Sequence, residues 1–172
     1  MTRSTPHPWR GDHVPGSPTV VVGVMPGHRS SVVRVAAGLA RRMQAELVCV
    51  WADAGRVLVA EDPDGTLHTA PLDPDAVDDG EQVAEEHELA RDLAATLDGA
   101  GVAWRFVYTV GEASHALRDV ARHQHAVMIA VGPRRPGLAG WMNHVVGGTV
   151  AGRLAHTQHL PVVVIPPVQE DA

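Results

Sequence analysis

The chain has 172 residues, 45% of them hydrophobic, and a formal net charge of −6 at pH 7 with histidine neutral. This length suits one domain with a single buried core, and the negative charge disfavours binding to nucleic acid or to anionic lipid. All 14 basic residues are arginine. A chain without lysine cannot form the lysine-dependent phosphate loop, a lysine Schiff base or a Ser-x-x-Lys catalytic pair.

The first 17 residues are rich in proline, glycine and histidine and contain no long apolar run. We expect residues 1–17 to form a disordered tail, because the prolines interrupt regular backbone hydrogen bonding. This composition does not match a secretory signal, and no run in the chain approaches the roughly 18 apolar residues of a membrane helix. These features predict a cytoplasmic protein that has no membrane partner.

Apolar runs then alternate with segments of helical periodicity. Strands are predicted at residues 19–25, 46–51, 102–110, 126–131 and 161–165, and helices at about residues 30–43, 81–97, 112–123 and 148–157. The strand runs lack polar alternation, which is typical of strands covered on both faces in a parallel sheet. Strict strand–helix alternation predicts right-handed crossovers, with helices on both faces of the sheet. We predict one α/β domain over residues 18–167, followed by a short tail at residues 168–172.

The alternation is interrupted between residues 53 and 79. Residues 56–60 and 66–70 are short extended candidates on either side of Pro63-Asp64-Gly65. Proline's fixed φ and glycine's tolerance of positive φ favour a turn there. The segment is predicted to be either a small hairpin or an irregular ordered loop.

Glycines cluster after the fourth predicted strand, which runs into Gly132-Pro133-Arg134-Arg135, and the last helix opens at Gly147-Gly148-Thr149-Val150. Glycine allows the backbone to approach a ligand closely, and the free N–H groups of a helix start form an anion site. This segment predicts a strand, a phosphate-binding loop, a helix and a final strand.

Together with the first two predicted strands, this segment resembles the universal stress protein family over roughly residues 18–166. The resemblance implies a Rossmann-like, five-stranded open parallel sheet of the adenine nucleotide alpha hydrolase type, with strand order 3-2-1-4-5. In many members a loop of the pattern Gly-x2-Gly-x9-Gly-(Ser/Thr) holds the phosphates of ATP, and other members bind no nucleotide. The implied cleft lies where strands 1 and 4 part, as the general rule for open sheets also predicts.

The resemblance implies that the phosphates contact Gly132, Gly148, Thr149 and Val150. The loop departs from the family pattern in two ways, because Arg135 stands where the second glycine would fall and the loop is three residues longer. Arg134 and Arg135 carry forked, permanently charged donors that suit phosphate oxygens. The alternative is that both are solvated arginines on a surface loop.

At the base end of the implied cleft, the resemblance places Val24, Met25 and Val50. Nucleotide-binding members carry an aspartate at the end of strand 1, where this chain has Met25, which offers no carboxylate. Val50 matches a position whose backbone meets the adenine. Recognition of the phosphates is therefore expected to be retained better than recognition of the base.

The resemblance implies a homodimer that acts in the stress response through its conformation or a protein partner, with ATP or another adenine nucleotide as ligand. No nucleophile with a partner base is evident, so we expect that catalysis is not the main role of the protein. A weak ATPase activity is compatible with this expectation. We also predict no metal site, because the histidines are not joined by cysteines or clustered carboxylates.

Two alternatives remain. A nucleotide-free dimeric regulatory module is favoured by Met25 and Arg135. An enzyme of the ATP pyrophosphatase type is disfavoured, because residues 25–30 lack the paired glycines and the aspartate of its loop.

The last predicted strand, residues 161–165, is a flat β-branched edge followed by two prolines. An exposed apolar edge invites pairing with another chain. The resemblance implies that this strand pairs across a two-fold axis. We therefore predict a homodimer in which Val162, Val163 and Val164 are covered.

Overall fold

A five-stranded parallel sheet forms the centre of the protein. The computed structural model describes residues 2–4, 16–27, 30–63, 67–73, 79–133 and 149–166. The strands are β1 (Thr2–Ser4), β2 (Thr19–Val24), β3 (Glu46–Asp53), β4 (Arg56–Glu61), β5 (Leu67–Pro71), β6 (Trp104–Val110), β7 (Ala126–Val131) and β8 (Val162–Val164). The helices are α1 (Ser30–Arg42), α2 (Asp79–Leu97), α3 (Ala113–His123) and α4 (Val150–Thr157).

The strand order of the central sheet is β6-β3-β2-β7-β8, and each neighbouring pair is parallel. When only these five strands are counted along the chain, the order is 3-2-1-4-5. The predicted fold is therefore confirmed. The predicted boundaries are off by two residues at most, since β3 continues to Asp53, β6 begins at Trp104 and α4 begins at Val150.

Helices cover both faces of this sheet. Helices α1 and α2 pack on the face that includes Val20 and Val22, and α3 and α4 pack on the face that includes Val21. All three valines are 0% exposed. Successive side chains of a strand point to opposite faces of the sheet. A strand covered by helices on both faces therefore needs apolar residues at successive positions and not only at every second one. No helix in the described ranges is long and apolar enough to span a membrane.

Gly23 allows α3 to pack closely on the central strand β2. A Cβ atom at this position would lie 3.2 Å from Cδ1 of Leu117 on α3. A side chain here would force Leu117 to move by a few tenths of an ångström, and a packed core leaves little free space for that movement. The glycine inside the valine run is therefore explained by helix–sheet packing.

A second, antiparallel sheet has the order β1-β5-β4. Strands β4 and β5 form the hairpin that was one of the two predictions for residues 53–79. Its turn, residues 64–66, lies outside the described residues. Strand β1 pairs with β5, with Thr2 opposite Thr69. The expectation of disorder is therefore wrong for these three residues, because a free hairpin edge supplies the backbone partners that local sequence does not reveal.

A buried polar network joins the hairpin to the carboxyl edge of the central sheet. The Asp53 carboxylate accepts hydrogen bonds from the Tyr108 hydroxyl at 3.1 Å and from the Gly55 N–H at 2.9 Å. Arg56 donates from Nε to Oγ1 of Thr69 at 2.9 Å. Burial raises the pKa of Tyr108, as do the charge of Asp53 and the hydrogen bond to it. The phenol therefore remains a donor, and the carboxylate keeps its partners inside the protein.

We predict that Tyr108→Phe lowers the free energy of unfolding by about 1–3 kcal/mol, because the substitution leaves a buried carboxylate oxygen without its donor. Urea unfolding followed by circular dichroism measures this loss. The matched control is Thr109→Val, which removes a hydroxyl from the next residue of β6 and is expected to cost less than about 0.5 kcal/mol. Equal effects of the two substitutions would contradict the assigned role of the network.

Candidate functional site

The candidate site lies at the carboxyl edge of the central sheet, between β2 and β7. From this edge, α1 leaves towards one face of the sheet, whereas α4 packs with α3 on the other face. The helices that follow β2 and β7 therefore lie on opposite faces of the sheet, which is the arrangement in which open α/β sheets form a ligand crevice. Met25 and Gly132 directly follow these two strands, so both lie at this edge of the sheet.

The three residues predicted for the base end do not share one face. Val24 packs in the core between the sheet and α1 and α2, whereas Val50 packs in the opposite core with α3 and α4. Val50 is opposite Gly23 in the register, and Val24 is opposite Trp51. The side chains of Val24 and Val50 therefore cannot sandwich a base, and Val50 can meet a ligand only through its backbone.

Met25 is 43% exposed and follows directly after β2. Its thioether offers a polarisable apolar surface, and it cannot accept hydrogen bonds as a carboxylate does. Because Met25 is this exposed, its side chain is accessible from solvent. An aromatic ring could pack on it without polar recognition.

Gly132 lies directly after β7, against the first turn of α1. A Cβ atom added to it would be 3.3 Å from Cγ2 of Val32. The missing side chain therefore lets α1 approach the end of β7. This packing explains the glycine without a ligand.

Thr149 is the N-cap of α4. Its backbone is extended, and its Oγ1 accepts a hydrogen bond from the Gly152 N–H at 3.1 Å. Its carbonyl accepts the Arg153 N–H at 3.0 Å. A hydroxyl can donate as well as accept, and a helix of this geometry leaves the N–H groups of Val150 and Ala151 without intrahelical acceptors. This helix start can therefore receive an anion.

The rest of the predicted phosphate loop, namely Arg134, Arg135 and Gly148, lies outside the described residues. Their contacts with a phosphate stay a prediction. Within the described part of the chain, no group of three or more histidine, cysteine, aspartate or glutamate side chains is placed to hold a metal ion.

Sequence reasoning missed an ion pair beside the α4 start. Glu112 is the N-cap of α3, and its Oε1 lies 3.5 Å from Nη1 of Arg153 on α4. Oε2 accepts hydrogen bonds from the Ser114 hydroxyl and, at 3.2 Å, from the His115 N–H. The glutamate that follows Gly111 at a strand end was the available indication, but nothing in the sequence connects it to Arg153.

The pKa of Glu112 is lowered despite its burial. Burial alone raises it, but the hydrogen bonds from Ser114 and His115 and the charge of Arg153 lower it by more. The carboxylate therefore stays ionised at neutral pH. It contributes a fixed negative charge next to the α4 start.

Comparisons with known proteins identify the family of this chain and its fold. The family model described as the universal stress protein family matches residues 17–166. The chain belongs to the universal stress protein family. No match was found among curated proteins.

Solved structures of universal stress proteins share the fold. One from Archaeoglobus fulgidus is 19% identical, with a TM-score of 0.59 over 86% of this chain and 92% of that chain. One in complex with cAMP is 22% identical, with a TM-score of 0.57 over 87% and 97%. One from Archaeoglobus fulgidus in complex with dAMP is 19% identical, with a TM-score of 0.56 over 86% and 96%.

We predict that Glu112→Gln lowers the melting temperature at pH 7 and that this difference shrinks as the solution is acidified below about pH 4.3, the usual glutamate pKa. The pKa of Glu112 is lower in the folded state, so its stabilisation is full above the unfolded-state pKa and is lost as pH falls through the folded-state pKa. Thermal unfolding at several pH values measures this.

The control for that experiment is Asp119→Asn, which removes the same charge from a partly exposed ion pair with Arg118 on the same helix. Ion pairs that solvent reaches contribute little, so this variant should melt close to the wild type at pH 7. A Glu112→Gln difference that does not change with pH would contradict the assigned ionic role.

Proposed function

We propose that this chain is a homodimeric stress protein that binds an adenine nucleotide in the crevice between β2 and β7. Binding would alter its conformation or its contact with a protein partner, and it would have no main catalytic role. The observation that carries this proposal is the start of α4, where Thr149 caps the helix and the first N–H groups have no intrahelical acceptors. Family members in complex with cAMP and with dAMP add support.

The phosphates are proposed to lie at the α4 start, against the N–H groups of Thr149 and Val150. Helix N-termini attract phosphate because N–H groups point outwards and the helix dipole favours negative charge. Gly132 has no side chain, and its backbone lies close to Val32 of α1 at the end of β7. Arg134, Arg135 and Gly148 would complete the phosphate contacts from the loop.

The base is proposed to pack on Met25, with the backbone of Val50 at its edge. Met25 is exposed and offers no hydrogen-bond donor or strong acceptor. Adenine and guanine should therefore be discriminated weakly. Polar recognition would be concentrated at the phosphates.

The chain is proposed to work in the cytoplasm as a dimer through β8. Val164 in this strand is 51% exposed. Within the described residues, β8 pairs only with β7, so its other edge has no partner strand. A second copy could pair with that edge and cover the valines.

We predict that AMP, cAMP and ATP raise the melting temperature, since a ligand at a hundred times its dissociation constant adds about 2.7 kcal/mol of stability. Thr149→Ala should weaken binding by about tenfold to a hundredfold, the equivalent of one hydrogen bond to a charged group. Thr149→Ser keeps the hydroxyl and should bind as the wild type does. Isothermal titration calorimetry provides the dissociation constants.

Thr157→Ala is the matched control for Thr149→Ala. It removes a hydroxyl that donates to the Arg153 carbonyl at the other end of α4, and it should leave the affinity unchanged. GTP should bind within about tenfold of ATP, given the absence of a carboxylate at Met25. If none of these nucleotides binds, the proposal fails and the nucleotide-free dimeric module, which Met25 favours, takes its place.

We predict that Val164→Asp weakens the dimer by at least about tenfold, because a carboxylate buried in an apolar strand pair loses its hydration. Sedimentation velocity at tens of micromolar should show the wild type as a dimer and the variant shifted towards monomer. Val35→Asp, at a position 39% exposed on α1, serves as the control. A monomeric wild type would refute the proposed pairing.

A further inference from the structure

The hairpin strand β4 has a free edge with apolar side chains along it. Within the described residues, β4 pairs only with β5, so its other edge has no partner strand. Val57, Leu58 and Val59 are 41%, 49% and 48% exposed. Such an edge is a template for pairing with another strand, and proteins commonly protect it with proline, lysine or other charged residues. Residues 57–60 contain none of these.

A bulge in β4 decides which of its side chains share a face. Val59 is an extra residue, because Leu58 lies opposite Thr69 of β5 and Ala60 lies opposite the neighbouring His68. Opposite residues of a strand pair share a face, and successive residues of β5 alternate between faces. On the face of Thr69, β4 therefore carries Arg56, Leu58 and Glu61.

The two ends of β4 complement each other when two copies of the strand run antiparallel about a two-fold axis perpendicular to the sheet. With the axis at the centre of the strand, Arg56 lies opposite Glu61 of the second copy, and Val57 lies opposite Ala60. Each pair joins residues of the same face, as pairing in one sheet requires. Without the bulge, Arg56 and Glu61 would point to opposite faces. The bulge, a feature that often disfavours edge pairing, here makes the faces match.

The centre of this register is apolar, because Leu58 lies opposite Val59 of the second copy. Burial of these exposed side chains supplies the affinity, since removing apolar surface from water is favourable. A pair of six-residue strands is smaller than a standard protein interface. We therefore expect a weak association, with a dissociation constant on the order of 100 μM.

The charges around Arg56 are compatible with the pairing. The carboxylates of Asp53 and Glu86 are 7% and 4% exposed, so neither stands at the free edge. Asp73 follows β5, which lies on the side of β4 away from that edge. Opposite charges across a strand pair stabilise it modestly. The Arg56 and Glu61 pairs thus select the register more than they add affinity.

We propose that β4 is a self-association surface, at which a second copy of this chain pairs antiparallel through its own β4. The central sheet ends in β8 on one side, and β4 lies beside β6 on the other side. The β4 contact and the proposed β8 contact can therefore form at the same time. At high concentration, β4 joins the β8 dimers into larger assemblies. The surface does not depend on nucleotide binding.

Cysteine cross-linking tests the register. Val57→Cys and Ala60→Cys are made as separate full-length variants, mixed, oxidised with copper phenanthroline and separated on a non-reducing gel. Opposite residues have Cα atoms about 4.5–5.5 Å apart, within the range of a disulfide. Two copies of Val57→Cys alone hold their cysteines three residues out of register, about 10 Å or more apart. The mixture should therefore give at least about fivefold more cross-linked dimer than either variant alone.

The native cysteine does not interfere, because Cys49 is buried and burial raises the pKa of its thiol. The control mixes Ala60→Cys with Val35→Cys, at a position 39% exposed on α1. Its yield should not exceed that of Ala60→Cys alone. A yield from the Val57→Cys and Ala60→Cys mixture no higher than this control would contradict the register.

Sedimentation equilibrium at about 0.5 mM, above the expected dissociation constant, measures the contact in a Val164→Asp background, which removes the β8 contact. This variant should form dimers. Adding Leu58→Lys should weaken them by at least about tenfold, because a buried ammonium group loses its hydration, whereas Val35→Lys should not. Glu61→Arg should weaken them by about threefold to tenfold, and Glu88→Arg, at an exposed position of α2, is its control. Circular dichroism establishes that each variant is folded.

The outcomes separate this surface from the proposed β8 dimer and from nucleotide binding. If Val164→Asp is monomeric at about 0.5 mM, self-pairing through β4 is refuted, and the edge is left to a strand of another protein. If it forms dimers that Leu58→Lys does not weaken, the surface is also refuted. If Leu58→Lys alone abolishes every dimer, β4 is supported and the β8 proposal fails. Nucleotide affinity is measured independently and decides neither contact.

Discussion

The structure depends on the burial of β2 from both faces and from both edges. This strand pairs with β3 on one side and with β7 on the other, and its valines reach both cores. A strand in this position can satisfy its backbone only through neighbouring strands. Because β2 and its neighbour β7 lie inside the sheet and the helices that follow them, α1 and α4, cover opposite faces, their carboxyl ends are where an open α/β sheet forms a ligand crevice.

Helix caps organise the edge at which the crevice opens. Glu112 caps α3 and Thr149 caps α4, and both use side-chain oxygens to accept N–H groups that the helices leave unpaired. The pair between Glu112 and Arg153 connects the two caps. The electrostatics of this edge thus depend on the same few side chains, and a change in one cap alters the surroundings of the other.

The hairpin adds a polar core of its own. Asp53, Tyr108 and Arg56 lie where the hairpin meets the sheet, and each is at most 7% exposed. Burying charged groups is costly unless every atom finds a partner. The network therefore fixes where the hairpin sits more than it adds net stability. It occupies the carboxyl ends of β3 and β6, whereas the crevice lies at β2 and β7.

The sequence alone determined the order and type of the elements of the central sheet and its helices, because the apolar runs of β2 and β8 and the helical spacing in α3 are local properties. The glycine and threonine at the last helix start were also visible, since helix caps follow from local chemistry. Only the tertiary structure decided which residues that are distant in the chain face or contact each other. It placed Val24 and Val50 in different cores, paired Thr2–Ser4 with β5, and brought Glu112 to Arg153. These contacts join residues far apart in the chain, and their geometry depends on the packing of whole helices and strands, which no local pattern encodes.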